Sequence, residues 1–173
     1  MHARSVLTAV LLTIPMGFTS SAALAATTPQ WMKVDAKDKT VQLKIDMGEP
    51  NKAGGFNFNG YAHGHMTVTV PEGWTVKVKA DNVGNISHSL EIVPAQSKPP
   101  MQGIKPAFAN ADTSDLKTGI KPDHDGSFTF KADKAGQYWM MCGVPGHALG
   151  GMWDKVVISK SATAPSVSVA QMS

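Results

Sequence analysis

Met66-Thr67-Val68-Thr69-Val70-Pro71-Glu72-Gly73-Trp74-Thr75-Val76-Lys77-Val78-Lys79 alternates apolar and polar side chains on both sides of a Pro-Glu-Gly turn. Side chains along an extended backbone point to opposite faces in turn, so this pattern predicts two strands, each with one buried face. The same period of two runs through Thr40 to Met47, where Val41, Leu43 and Ile45 interleave with Gln42, Lys44 and Asp46. It recurs at Phe56 and Phe58, at Leu90 and Ile92, and at Phe128 and Phe130. Gln137 to Cys142 and Met152 to Ser159 are more apolar throughout. Turn-forming clusters at Gly54-Gly55, Asp81 to Asn85, Asp123 to Gly126 and Lys134 to Gly136 separate these runs. With no sustained helical period, about eight short strands predict an all-β, antiparallel Greek-key sandwich or barrel.

Between the strands, Gln96 to Pro122 is an insertion, and Asn110 to Leu116 within it is a candidate short helix. Residues 161–173 are small and polar and predict a disordered tail. One domain over 26–160 accounts for the rest. The 173 residues are 42% hydrophobic and 17% charged, the balance of a folded globular chain. Two packed sheets of this size bury roughly 65–70% of the unfolded surface, enough to hold without disulfides. Lys+Arg 16 against Asp+Glu 13, scattered along the chain, leaves +3 and argues against nucleic-acid binding. A single cysteine, Cys142, excludes a disulfide framework and any Cys₄ zinc or iron–sulfur site.

Residues 1–25 read as an export signal. Arg4 lies in a short basic start, Val6 to Phe18 is apolar, and Ala23-Leu24-Ala25 gives the small-x-small pattern of a cleavage site. An uncleaved membrane anchor is the alternative, but the run is shorter than the roughly 20 residues a spanning helix needs. Cleavage leaves 15 lysines, 13 acids and no arginine in a protein expected in the periplasm or elsewhere outside the cytoplasm. A lone thiol in an oxidising compartment is prone to mispairing. Cys142 is therefore expected to be buried, paired between molecules, or held by a metal.

Around it the sequence reads Tyr138-Trp139-Met140-Met141-Cys142-Gly143-Val144-Pro145-Gly146-His147-Ala148-Leu149-Gly150-Gly151-Met152. Thiolate, imidazole and thioether are spaced C-x₄-H-x₄-M, a soft ligand set suited to copper rather than to magnesium or calcium. A redox-active copper site of this kind takes a second imidazole. His88 shares parity with Leu90 and Ile92 and so points to the buried face, where a metal bond would relieve an unpaired ring. The alternative is an ordinary hydrogen-bonded core histidine. His63 and His65 in Gly60-Tyr61-Ala62-His63-Gly64-His65 are either a second metal pair or two solvated rings, and His124 in an Asp-His-Asp-Gly turn is expected to be exposed. Tyr138, Trp139 and Trp153 are assigned to packing. Met140 and Met141 alternate on one strand and would face opposite sides, which argues against a methionine cluster for copper storage. A cysteine nucleophile would need a base across a cleft, whereas His147 lies on the same short loop.

The strand–Cys–loop–His–loop–Met ending, with an earlier strand histidine, resembles the cupredoxin (blue copper) superfamily. The His88-Ser89 pair, Phe56-Asn57-Phe58-Asn59-Gly60-Tyr61 and Pro71-Glu72-Gly73-Trp74 resemble its sulfocyanin branch, related to the rusticyanins. The likeness covers roughly Asp38 to Lys160. It implies one type 1 copper held by His88, Cys142, His147 and Met152, and an electron carrier rather than an enzyme. Redox proteins such as cytochromes or a terminal oxidase are the implied partners, met transiently by a monomer through the loop around His147. Val144, Pro145, Ala148 and Leu149 supply the apolar surface for that contact. Ser89 stands where many blue copper proteins carry Asn, and a different hydrogen bond to the thiolate there implies a relatively high potential. Copper delivery or storage is the first rival function, and a copper oxidoreductase domain is the second. The latter needs a further copper site, for which His63 and His65 are the only material.

Overall fold

The structure is a computed structural model that describes residues 28–170; the segment read as a signal lies outside the described residues. The strands are β1 (Met32–Asp35), β2 (Thr40–Met47), β3 (Met66–Pro71), β4 (Trp74–Asn82), β5 (Glu91–Pro94), β6 (Asp125–Ala132), β7 (Gly136–Met141), β8 (Trp153–Ser159) and β9 (Ser166–Val169). They form a four-stranded sheet in the order β1-β2-β4-β6 and a five-stranded sheet in the order β5-β7-β8-β3-β9.

Alternating side chains from the two sheets meet in one core. Val41, Leu43, Ile45 and Met47 of β2, and Trp74, Val76, Val78 and Ala80 of β4, are buried with Val68 and Val70 of β3 and Val156 and Ile158 of β8. The two runs flanking Pro71-Glu72-Gly73 are not a hairpin. β3 pairs with β8 and β9, whereas β4 pairs with β2 and β6, so the turn carries the chain from one sheet to the other. Gly73, at φ +84, makes that reversal in a region glycine enters without strain. This crossing also corrects the expectation of a purely antiparallel sandwich, because β2–β4 and β3–β8 run parallel.

Seven of the expected strands are present and two were not foreseen, β1 and β9. Phe56 to Asn59 is the exception: Phe58 makes only isolated bridges, to Met47 and Tyr61, with Asn59 at φ +51. The tail expected to be disordered is ordered through Ala170. β9 pairs antiparallel with β3 and buries Val167, and the Ala170 N–H donates to the His65 carbonyl at 2.8 Å. A short, half-polar strand such as Ser166–Val169 has too little apolar content to announce itself. The candidate helix at Asn110 to Leu116 is absent as well. Asn110 and Asp115 adopt φ +57 and +53, and the segment runs beside β5, with Ile92 donating to the Ala111 carbonyl and Thr113 to that of Leu90.

The five-stranded sheet is covered on its other face too. Val93, Trp139, Met141 and Ala148 form a second buried cluster with Ile104 and Trp153, the two indoles stacked at 4.1 Å. Burial on both faces is why β7 reads as continuously apolar.

Candidate metal centre

Cys142 directly follows β7, and the loop it opens returns the chain to β8 at Trp153. Three hydrogen bonds curl that loop: Cys142 N–H to the Met152 carbonyl, Met152 N–H to that of His147, and His147 N–H to that of Val144, each 3.1 Å. Gly146 and Gly151 supply the left-handed turns, at φ +86 and +104. Two backbone bonds to Ile120 (3.1 and 2.7 Å) fix His88 just ahead of β5. Consequently His88, Cys142 and His147 converge, their ligand atoms all within 4.8 Å of one another. Cys142 Sγ lies 3.4 Å from His147 Nδ1, and the two imidazole centroids are 5.1 Å apart. Met152 is fully buried and tied to both Cys142 and His147 by the bonds above.

His88 is fully buried, yet neither ring nitrogen has a hydrogen-bond partner. That disposes of the ordinary core histidine, since a buried ring normally satisfies at least one nitrogen. Burial and then the nearby His147 hold its pKa down to about 4, and burial lowers that of His147. Both shifts favour the neutral ring, the form able to donate a lone pair. The Cys142 thiol is pushed up by burial, against the Ser89 N–H that points at its sulfur from 3.3 Å. One ionisable thiol, two neutral imidazoles and a nearby thioether are the donor set of a redox copper site.

Neighbours not assigned to the site from the sequence complete the setting. Asn82 is buried and donates to the Ile86 and Ile120 carbonyls (2.8 and 2.7 Å), bracing the segment that carries His88. Phe56 packs edge-on against His147, centroids 4.9 Å apart. Phe56 is marked by alternation and by the family likeness, but neither its contact with His147 nor the role of Asn82 is readable locally, because their partners lie far along the chain. His63 and His65 do not join the cluster; their centroids are 6.5 Å apart. The N–H groups of His63 and Gly64 instead bond the carbonyls of Gly151 and Trp153, on either side of Met152. His124 is exposed, as expected. Ala148 is buried in the outer cluster and is therefore not part of the surface expected around His147. A groove of about 700 Å³ lined by Gln42, Lys44, Lys77 and Lys79 of the four-stranded sheet shares no residue with the metal cluster.

Residues 27–169 match the family model described as the Sulfocyanin (SoxE) domain. The chain belongs to the sulfocyanin family. It is 31% identical to the sulfocyanin of Sulfolobus acidocaldarius over 75% of this chain and 69% of that protein. It is 34% identical to the rusticyanin of Acidithiobacillus ferrooxidans over 53% of this chain and 59% of that one. A rusticyanin crystal structure superposes with a TM-score of 0.56 at 23% identity, covering 75% of this chain and 86% of the other. That last likeness shows the fold alone, a cupredoxin sandwich. As in the sulfocyanin family generally, the site belongs to a blue copper protein, and the buried, unpartnered imidazole beside the thiol agrees with this.

Proposed function

We propose that this sulfocyanin carries single electrons between respiratory partners outside the cytoplasm, with His88, Cys142, His147 and Met152 as its copper ligands. The observation that carries the reading is the convergence of His88, its two ring nitrogens unpaired, on Cys142 and His147 inside 4.8 Å. Bound copper supplies a Cu(I)/Cu(II) couple. The chain's own residues supply rigidity: β5 and β7 hold the ligands from one sheet, and the loop bonds leave the donor set little room to rearrange. Ser89 N–H, aimed at the sulfur, stabilises negative charge there. With protein donors filling the site, no position is offered to a substrate, and the role is that of a carrier rather than an enzyme.

His147 is the only half-exposed member of the converging trio, so its edge is the electron doorway. Pro145 and Leu149 on its loop are exposed. Met101, whose carbonyl accepts from Gly146 N–H, is 61% exposed and extends the apolar surface beside them. A small patch of this kind suits brief encounters with a cytochrome or a terminal oxidase. The N-terminal 25 residues are read as cleaved on export, and among the described residues no helix is long and apolar enough to cross a membrane. Voltammetry of the copper-loaded protein tests the reading: a reversible one-electron wave with one copper per chain supports it. Copper that exchanges readily in either oxidation state would favour delivery instead.

A further inference from the structure

β2 ends at Met47 and β4 at Asn82, paired side by side in parallel, and each chain then passes a glycine: Gly48 and Gly84. Both lie against the ring of His88. A Cβ on Gly48 would overlap His88 Nε2 and stand 2.7 Å from Cδ2; one on Gly84 would stand 3.0 Å from Nε2. Neither glycine is free to move away. Gly48 N–H is bonded to the Asn57 carbonyl at 3.0 Å, and Gly84 N–H to Asn82 Oδ1 at 2.9 Å. A Cβ on Gly84 would also come within 2.8 Å of the Gly48 carbonyl, so the two backbones are already in close contact.

We propose that Gly48 and Gly84 form a slot that sets the orientation of the His88 imidazole, making them positioning residues for the copper centre. This rests on the assignment of His88 as a ligand. Hydrogen bonds normally aim a ligating histidine, but His88 has none on its ring and its backbone bonds to Ile120 fix only the main chain. The slot does the aiming by shape. A metal site requires its donors within about 0.5 Å of their working geometry. A methyl group on Gly48 would displace the ring by more than that, since it would overlap Nε2 while Gly84 and the His147 ring also lie against the imidazole. A cleft of about 320 Å³ lined by Gly48, Asn51, Asn85 and His88 adjoins the slot.

Three variants separate aiming from folding. Gly48 has φ +75, so alanine there also carries backbone strain. Gly73 has φ +84 with nothing within 4 Å of a Cβ, and Gly73→Ala therefore brings the same strain without touching the site. The expected result is that Gly48→Ala and Gly73→Ala both lower the melting temperature of the metal-free protein, Gly48→Ala by more because its methyl also meets the His88 ring. Only Gly48→Ala then weakens copper affinity at least tenfold and shifts the visible spectrum and the potential. Gly84→Ala should shift them in the same direction by less, and it serves as the measurement should Gly48→Ala fail to fold. A wild-type spectrum, affinity and potential in the glycine variants that fold, from a wild type that is itself blue, would overturn the slot. A wild type that takes up no copper contradicts the ligand assignment, and the slot falls with it.

Discussion

Ser89 joins three parts of the site with one short side chain. Its hydroxyl donates to the Leu116 carbonyl and accepts from Gly143 N–H, both at 2.9 Å, and so stays 3.8 Å from the sulfur, while its N–H reaches Sγ at 3.3 Å. The bond that tunes the thiolate is therefore the backbone one, and the hydroxyl holds it in place. Asn at this position is too bulky for the space between Leu116 and Gly143 and would pull the N–H off the sulfur. Less charge stabilisation on sulfur favours Cu(II), so Ser89→Asn is expected to lower the potential on the order of 60 mV, one tenfold change for a one-electron couple. Voltammetry on the variant checks it, and an unchanged potential would count against the role. At this scale the residues proposed as ligands were legible from chemistry and parity: one cysteine, a C-x₄-H-x₄-M spacing, and a histidine in step with Leu90 and Ile92. Asn82, Gly48 and Gly84 were not, because what they do depends on contacts with His88 and its support that only the folded chain makes.

The strands impose a pH dependence of their own. Glu91 on β5 and Asp154 on β8 are both fully buried. One oxygen of each has a backbone donor, Ile104 for Glu91 and Met66 for Asp154, and the other oxygen of each has none. Burial raises both to about 7, with Asp112 facing Glu91 and adding to its rise, and Lys155 near Asp154 opposing it. A carboxyl raised in the folded state binds its proton more tightly there than when unfolded. Its stabilisation is complete below the ordinary carboxylate range and is lost as pH climbs towards 7. Between about pH 4 and 7 these carboxyls lower the melting temperature as pH rises, while the depressed histidines His88 and His147 act in the opposite sense. Glu91→Gln is therefore expected to turn the slope of melting temperature against pH upwards relative to the wild type. Thermal melts of both proteins across that range decide it; parallel slopes would contradict the role of Glu91. β9 makes a second test at this scale. Ending the chain at Ser161 uncovers Val68 and the edge of β3, and removes the burial of Val167, worth roughly 1.5–3 kcal/mol. Denaturant titration should show at least that loss. Period-two runs, with two segments apolar throughout, identified seven strands, but β1 and β9 are four residues each and carry only two apolar side chains apiece, too few to stand out.

Across the whole molecule, the sandwich places the metal cluster beside an exposed apolar fringe, since the cluster sits on the segments that follow β4 and β7 and the fringe on those that follow β5 and β7. Leu149, 51% exposed on the loop that carries His147, belongs neither to the metal cluster nor to the core. Leu149→Asp is expected to slow electron exchange with a partner about tenfold while leaving colour and potential as they are, because a charge in a docking patch costs encounter stability without altering the site. Stopped-flow mixing with a redox partner measures this, and an unchanged rate would place docking elsewhere. The all-β architecture was readable from alternation alone, whereas the mixing of parallel and antiparallel pairs was not. Which sheet a strand joins is settled by the crossing at Gly73, and local patterns carry no trace of it. The most direct trial of the copper reading is the visible spectrum of the protein titrated with Cu(II), beside Cys142→Ser. Intense blue or blue-green absorption that saturates at one copper per chain and vanishes in the variant is the expected result. A colourless protein, or colour that survives the loss of the thiol, would contradict it.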